Sequence, residues 1–153
     1  MTRVAIAIGS NLGDRHAHVA FARERLAAVL TDLRVSADYE TDPVGGSEGQ
    51  GRFLNAAAAG STDLPPRDLL AFLLAVERER GRTRPFPRAP RTLDLDLILF
   101  GDLIIDSPEL SIPHPRFRER AFVLDPLVEI APDLGDPVTG KTIRELRSGL
   151  LSG

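Results

Sequence analysis

The sequence predicts an α+β fold in which an antiparallel sheet carries helices on one face. Three observations support this prediction. Short apolar runs bounded by turn residues are typical of strands, and two longer segments repeat apolar residues at three- and four-residue steps, as amphipathic helices do. The 153-residue chain also contains no internal repeat and no linker long enough to separate domains, so we expect a single domain over residues 1–153.

The N-terminal half predicts a strand, a helix and two further strands. Residues 3–8 form an apolar run that ends in a turn before Asp14, a suitable N-cap for a helix. The apolar stripe of this helix comprises Val19, Ala22, Leu26, Val29 and Leu33. Residues 34–41 and 52–60 predict strands. The loop 44–51 between them is rich in glycine, so we expect a mobile lid and not a tight turn.

The C-terminal half predicts a second helix, a strand, a hairpin and short helices. Pro65 and Pro66 suit the first turn of a helix that Gly81 would end. The apolar stripe of this helix comprises Leu69, Phe72, Leu73 and Val76. An apolar strand begins at Asp94. The resulting order β-α-β-β-α-β is the ferredoxin-like arrangement.

The composition excludes several kinds of site and favours a cytosolic protein. The chain has no cysteine, which excludes disulfides, thiolate metal sites and a cysteine nucleophile. It contains neither an apolar run long enough to span a bilayer nor a basic, apolar leader ahead of the first strand. We therefore expect a cytosolic location and no association with membranes.

Asp94 and Asp96 predict a metal site. They are two residues apart at the start of an apolar strand, so their side chains point to the same face of the sheet. Mg²⁺ is commonly bound by one or two carboxylates together with the phosphates of a substrate. The alternative is that the pair is only the solvated end of a strand, as such pairs often are.

An arginine-rich segment immediately precedes this acidic pair. The net charge of the chain is −3, so the six arginines within residues 78–91 are a local excess of cations. Pro85, Pro87 and Pro90 interrupt them and prevent a single helical face. Arginine binds phosphate oxygens bidentately, so this segment beside two carboxylates indicates metal-assisted phosphoryl chemistry on a nucleotide. A solvated surface or a nucleic-acid-binding patch is the alternative.

Residues 135–142 match the phosphate-binding loop pattern G-x-x-x-x-G-K-[ST], but their context argues against that function. Such a loop follows a buried strand and opens a long helix. Pro137 lies inside the segment, and only eleven residues follow it. We therefore predict turns here, leading into a short amphipathic helix that contains Ile143 and Leu146.

His114 is a further candidate for phosphate binding. It lies between Pro113 and Pro115, which restrict its backbone, and close in sequence to Arg116 and Arg120. Near these cations, a hydrogen bond to phosphate is a better prediction for His114 than a metal ligand. A structural histidine is the alternative.

Several short motifs are specific when they are taken together. They are Gly-Ser-Asn-Leu at 9–12, Phe-Leu-Asn-Ala-Ala at 53–57, Arg-Thr-Leu-Asp-Leu-Asp at 91–96, Pro-His-Pro-Arg at 113–116 and Pro-Leu-x-Glu-Ile-Ala-Pro at 126–132. In this order and spacing they resemble the 6-hydroxymethyl-7,8-dihydropterin pyrophosphokinases of folate biosynthesis, over essentially the whole chain. The resemblance implies transfer of the β,γ-pyrophosphoryl group of ATP to the hydroxymethyl group of the pterin, with release of AMP.

The resemblance also implies roles for individual residues. Asp94 and Asp96 would hold two Mg²⁺ ions, while Arg82 and Arg91 would stabilise charge on the phosphates during transfer. The residues expected to bind ATP are Glu77, Arg84, Arg88, Ile98, His114 and Arg120. The residues expected to bind the pterin are Thr41, Val44, Phe53, Asn55 and Phe122, with the two phenylalanine rings on either side of the pterin.

One departure from the family pattern affects the arginine-rich segment. Many members have a Trp-Gly pair shortly before Pro-Arg-Thr, whereas the sequence Arg-Ala-Pro-Arg at 88–91 lacks it. The alignment of Arg88 with the family is therefore open. Phe86 could replace the missing aromatic ring.

From the residues alone, Phe53 and Phe122 could equally be ordinary core residues. Two other classes of protein also remain open. A ferredoxin-like RNA-binding module is one, although an acidic pair on its sheet would repel phosphates in the absence of a metal. A regulatory domain that binds a small ligand without turnover is the other. The preferred interpretation is a monomer whose partners are ATP and the pterin, with no nucleic acid and no membrane.

Overall fold

The fold combines antiparallel strands with four helices in the parts of the chain that this computed structural model describes, residues 1–41, 52–80 and 92–150. The strands are β1 (Thr2–Ser10), β2 (Thr31–Val35), β3 (Tyr39–Thr41), β4 (Phe53–Thr62), β5 (Asp94–Phe100), β6 (Ile105–Asp106) and β7 (Ser111–Ile112). The helices are α1 (Arg15–Leu26), α2 (Pro66–Glu79), α3 (Ala121–Ile130) and α4 (Ile143–Gly149). The prediction of an α+β fold is confirmed.

The main sheet has the strand order β2-β4-β1-β5, and β3 pairs with the same edge of β4 as β2 does. Every pairing in it is antiparallel. The hairpin of β6 and β7 forms a separate small sheet. In the described sheet β1 is therefore central, while β5, which begins at Asp94, lies at an edge.

Helices α1 and α2 cover one face of the sheet, as the sequence predicts. Their buried residues pack against alternate residues of β1, β4 and β5 in one apolar core. Asp14 caps α1, since its carboxylate accepts a hydrogen bond from the Ala17 N–H. The predicted stripe of α1 is wrong beyond Leu26: the helix ends there, and Leu33 lies in β2. Leu30 follows the turn after α1 and is buried in the core. An apolar residue four positions after Leu26 therefore need not belong to the helix.

The predicted strand 34–41 is broken into β2 and β3. Ser36 lies at the break, and its N–H donates to the Ala57 carbonyl at 2.9 Å. Its hydroxyl accepts from the Ala57 N–H at 2.8 Å, so a side chain replaces a backbone partner there. This is a tertiary contact between residues 21 apart in sequence, and no local pattern indicates it.

Helices lie on both faces of the sheet, not on one as predicted. The second face presents small residues of β1 and β4, namely Ala5, Ala57 and Ala59, and α3 and α4 pack against them. A bulge in β5 opposite Ala5 and Ile6 turns both Ile98 and Leu99 toward this second core. None of the helices in the described ranges is long and apolar enough to cross a membrane.

Candidate active site

Asn55, Asp94 and Asp96 lie at one end of the sheet, on the face that α3 covers. Gly9 of β1 pairs with Asn55 of β4 on one side and with Asp94 of β5 on the other. Ala7 pairs with Asp96 in the same way. The strand register therefore brings the predicted pterin residue and the predicted metal ligands into neighbouring rows.

Asp94 and Asp96 point to the same face of β5. Leu95 lies between the two aspartates and Leu97 follows Asp96, and both leucines are buried in the core with α1 and α2. The two aspartates are half-buried on the opposite side of the strand. No group of three or more histidine, aspartate or glutamate side chains suited to a metal ion occurs within residues 1–41, 52–80 and 92–150. Two carboxylates on one strand face fit Mg²⁺, provided that substrate oxygens complete its coordination.

Glu77 supports the strand that carries these aspartates. It lies in the last turn of α2, is 1% exposed, and accepts a hydrogen bond from the Leu95 N–H at 2.7 Å. Leu95 stands between Asp94 and Asp96, so this bond anchors the backbone of β5 at the acidic pair. The role predicted for Glu77, a contact with ATP, stays a prediction.

Ser10 holds the chain just before the acidic pair, and sequence reasoning assigned it no role. Its hydroxyl donates to the Thr92 carbonyl, two residues ahead of Asp94. Ser10 is fully buried at the end of β1. The only signal in the sequence is its place in the Gly-Ser-Asn-Leu motif, because the contact joins residues 82 apart.

His114 lies beside β5 and near Asp94. Its backbone N–H donates to the carbonyl of Ile98 at 3.0 Å. Burial lowers the pKa of the imidazole below its usual 6.5, Arg120 and Arg116 lower it further, and Asp94 partly opposes them. The ring is therefore neutral at pH 7, and it lies close enough to Asp94, Arg116 and Arg120 for their charges to act on it.

Ile98 and Arg120 complete the described part of the predicted ATP site. The Ile98 side chain is fully buried. Ile98 therefore contacts the site through its backbone carbonyl, which accepts the hydrogen bond from the His114 N–H. The guanidinium of Arg120 lies 5.5 Å from the centre of the Phe122 ring. This stacking links a predicted nucleotide residue to a predicted pterin residue.

The predicted pterin residues of β3 and β4 lie together. Asn55 is 5% exposed, and its Nδ2 donates to the Thr41 hydroxyl at 2.6 Å. Phe53 is half-buried and lies two residues before Asn55 on the same strand face. Phe122 of α3 packs against the core on this same face.

Helix α3 is also linked to β3 and to the residues just before it, and no sequence pattern indicates this link. Glu129 accepts hydrogen bonds from the Ala37 N–H and the Tyr39 hydroxyl. The hydrogen bond between Tyr39 and Glu129 is the main reason that the pKa of Tyr39 rises to about 12. Burial and the negative charges of Glu129 and Asp125 raise this pKa further. The Pro-Leu-x-Glu-Ile-Ala-Pro motif contains Glu129, but nothing in the sequence names its partners.

Several predicted site residues lie outside the described parts of the chain. They are Val44, Arg82, Arg84, Arg88 and Arg91, together with the predicted lid 44–51, Gly81 and Phe86. Their roles stay predictions.

Residues 135–142 form a turn that is held by a partly buried ion pair. The carboxylate of Asp136 accepts hydrogen bonds from the Arg118 guanidinium, the Thr139 hydroxyl and the Val138 N–H. Thr142 then caps α4 in a capping box with Glu145. The prediction of turns followed by a short helix is confirmed, and the seven-residue α4 is far too short for a phosphate-binding loop and helix.

The comparisons with known proteins agree with the sequence motifs. A family profile described as 7,8-dihydro-6-hydroxymethylpterin-pyrophosphokinase (HPPK) matches residues 5–132, which is most of the chain. The chain belongs to this family. A Pseudomonas aeruginosa relative, a 2-amino-4-hydroxy-6-hydroxymethyldihydropteridine pyrophosphokinase, is 45% identical over 147 residues, which cover 94% of this chain and 89% of the relative. A Bacillus subtilis relative of the same name is 48% identical over 127 residues, covering 82% and 75% of the two chains.

Longer proteins contain the same fold. The chain covers 44% of a Plasmodium falciparum HPPK-DHPS protein, which covers 96% of this chain with a TM-score of 0.74. Their sequences are only 14% identical, so this likeness shows the fold alone. A Pneumocystis carinii folic acid synthesis protein is 42% identical over 141 residues, which are 92% of this chain but 19% of that protein. The chain thus spans less than half of either protein.

Proposed function

We propose that the chain transfers the β,γ-pyrophosphoryl group of ATP to the hydroxymethyl group of 6-hydroxymethyl-7,8-dihydropterin, forming the pterin diphosphate and AMP. One observation carries the proposal. The acidic pair of β5 lies on the same face and at the same end of the sheet as Asn55, with Phe122 of α3 on that face. An enzyme that transfers a pyrophosphoryl group from metal-bound ATP to a pterin requires such a juxtaposition, and the relatives named above are pyrophosphokinases.

Asp94 and Asp96 would bind Mg²⁺, and we expect two ions. Bound Mg²⁺ neutralises charge on the triphosphate and acts as a Lewis acid toward its oxygens. The two carboxylates contribute a fixed orientation, because the Glu77 bond to Leu95 holds the strand between them. A substrate bound in one orientation reacts faster than one that must search for it.

The proposed nucleotide site lies beside this pair. His114 and Arg120 would provide donors on one side, while Glu77 of α2 contacts β5 and Ile98 lies within that strand. The neutral imidazole of His114 can donate a hydrogen bond to a phosphate oxygen. Four arginines complete the proposal, with Arg82 and Arg91 acting on the transferred group and Arg84 and Arg88 on ATP.

The proposed pterin site lies where β3 and β4 meet the start of α3. Phe53 and Phe122 would stack on the two faces of the ring, and Asn55 and Thr41 would bind its polar edge together with the backbone near Val44. An asparagine amide has two donor hydrogens and two acceptor positions. The bond from Asn55 to Thr41 uses one donor hydrogen and fixes the amide orientation, which leaves capacity for the pterin.

We further propose that the core has ferredoxin-like topology and that the enzyme is a monomer. The order β2-β4-β1-β5, with α1 after β1 and α2 after β4, supports the topology if β2 and β3 are counted as one interrupted strand. A size-exclusion experiment with light scattering tests the proposal that the enzyme is a monomer. The mass of one chain, 16.6 kDa, is expected, and a dimer would contradict it.

Nucleotide product analysis tests the proposed function. Purified protein is incubated with ATP, Mg²⁺ and 6-hydroxymethyl-7,8-dihydropterin, and each component is omitted in turn. AMP should appear only when all three are present. ADP would instead indicate an ordinary kinase or ATPase, and the absence of turnover would favour a binding domain.

A further inference from the structure

Helix α3 is joined to the β2–β3 corner by one polar side chain. Both carboxylate oxygens of Glu129 lie near the Ala37 N–H, at 3.2 and 3.0 Å, and one of them accepts from the Tyr39 hydroxyl at 2.6 Å. Ala37 lies in the break between β2 and β3, and Tyr39 is the first residue of β3. Glu129 therefore holds the start of β3 against α3.

The corner is also fixed from the opposite side by α1. The Arg23 guanidinium donates to the Ser36 carbonyl at 2.6 Å and to the Asp38 carboxylate at 2.5 Å. Arg23 thus sets the corner against the body of the fold, whereas Glu129 sets α3 against the corner. Without Glu129 the corner would keep its place, and the position of α3 relative to it would be less restricted.

Both elements that Glu129 joins carry proposed pterin residues. In β3, Tyr39 pairs with Asn55 and Thr41 pairs with Phe53. In α3, Phe122 lies seven residues before Glu129, which is about two helical turns. A shift of α3 against β3 would therefore change the gap between the two aromatic rings.

We propose that Glu129 is a positioning residue for the pterin site. By binding Ala37 and Tyr39 it sets the distance between Phe122 on α3 and the surface formed by Phe53 and Asn55. This inference rests on the proposed function, because it assumes that the pterin binds in that gap. It assigns a role to a motif residue that contacts no reacting atom.

Apolar packing distinguishes this role from simple support of the fold. Val123, Leu124, Leu127 and Ile130 of α3 are buried in the second core, so the helix has an extensive attachment that does not involve Glu129. Glu129 itself is exposed, and exposed hydrogen bonds contribute little to stability. A small displacement of a substrate-binding residue, by contrast, has a large effect on binding geometry.

The test compares Glu129→Ala, Glu129→Gln and Tyr39→Phe with the unchanged enzyme. Glu129→Ala removes the hydrogen bonds to Ala37 and Tyr39 and should raise the KM for the pterin about three- to tenfold. This increase corresponds to the free energy of one or two hydrogen bonds. Glu129→Gln keeps one acceptor oxygen, and Tyr39→Phe keeps the Ala37 bond, so both should show smaller increases. The kcat and the KM for ATP should stay within about twofold, since neither the acidic pair nor His114 is touched.

Arg147→Gln is the matched control. Arg147 of α4 pairs with Asp125 of α3, so this variant removes a different polar link of the same helix. It should lower the melting temperature to a similar extent and leave the KM for the pterin unchanged. If Arg147→Gln and Glu129→Ala instead raised that KM equally, the stability of α3, and not the hydrogen bonds of Glu129, would control pterin binding.

The inference fails if Glu129→Ala lowers the melting temperature but binds the pterin as the unchanged enzyme does. If that variant does not fold, Tyr39→Phe decides, because it removes a single hydroxyl. Absence of AMP from the unchanged enzyme would instead reject the proposed function. Equilibrium titration by pterin fluorescence separates the two failures, because it needs no turnover and the chain has no tryptophan to interfere.

Discussion

At the scale of single residues, Asp94 and Asp96 show what a local rule can and cannot provide. Alternation along a strand predicts that they share a face, and the burial of Leu95 and Leu97 on the other face confirms it. Their neighbours follow from no local rule. Glu77 reaches Leu95 across 18 residues of sequence, and that anchor is visible only in the folded chain.

Replacing Asp96 by Asn should abolish most turnover. The variant keeps the shape of the side chain but removes one carboxylate from the proposed Mg²⁺ site, so kcat/KM should fall by about a hundredfold or more. The circular dichroism spectrum should be unchanged. Asp106→Asn, on β6, is the control and should retain full activity, whereas full activity in Asp96→Asn would exclude Asp96 as a metal ligand.

His114 should make the stability of the ligand-free protein depend on pH. Its folded-state pKa is below 6.5, so beneath pH 6.5 the unfolded chain binds a proton that the native chain does not. The free energy of unfolding should therefore fall as the pH decreases from about 6.5 through the lower folded-state pKa. At neutral pH and above, this penalty is absent.

Urea titrations at several pH values measure this effect. Burial and Arg80 also lower the pKa of His18, against an opposing effect of Asp14, so His18→Gln is used as the background. Adding His114→Gln should flatten the remaining slope as the pH falls below about 6.5. Equal slopes in the two proteins would show that His114 does not titrate in the expected sense.

At the scale of elements, the contact between α2 and β5 links the fold to the site. Glu77 is a buried carboxylate at the end of a helix that is otherwise typical of a core helix, with Leu69, Leu73 and Val76 on its buried face. Its bond to Leu95 satisfies a donor on the described edge of the sheet. An amphipathic pattern indicates the helix but does not identify a polar residue that faces inward.

Replacing Glu77 by Ala should therefore affect both stability and turnover. The Leu95 N–H would lose this acceptor, at a cost of about 1–3 kcal/mol. The kcat should fall more than the affinity for ATP if the main role of Glu77 is to hold β5. Glu77→Gln, which keeps an acceptor oxygen, should recover most of the kcat, and a loss confined to ATP affinity would favour direct contact with the nucleotide.

At the scale of the whole molecule, the two faces of the sheet have different tasks. Helices α1 and α2 complete the core, while the face under α3 and α4 also carries the candidate site at one end. Ligand binding should therefore stabilise the folded state as a whole, because the site draws on β3, β4, β5 and α3. Its contacts exist only in the native chain.

A non-hydrolysable ATP analogue with Mg²⁺ should raise the melting temperature. At a ligand concentration about 100 times its Kd the gain is about 2.7 kcal/mol. That gain corresponds to roughly 5–10 °C for a chain of this size. Removing the metal with a chelator, or using Asp96→Asn, should abolish most of the shift, and a metal-independent shift would argue against the acidic pair as the metal site.

Local sequence patterns were sufficient to predict the strands β1, β4 and β5, the start of both long helices, the paired aspartates and the short helix after residues 135–142. These features depend on the local period of apolar residues and on capping and turn residues, which neighbouring positions specify. The family motifs added the expected substrates and the residues that bind them.

Other features follow from contacts that form only in the folded chain. The break at Ser36, the placement of α3 and α4 on the second face, and the contacts of Ser10, Glu77 and Glu129 all depend on partners far away in sequence. Such partners meet because buried polar groups must be paired and small residues such as Ala57 leave room for a helix. Those requirements concern the folded chain, so no local pattern contains them.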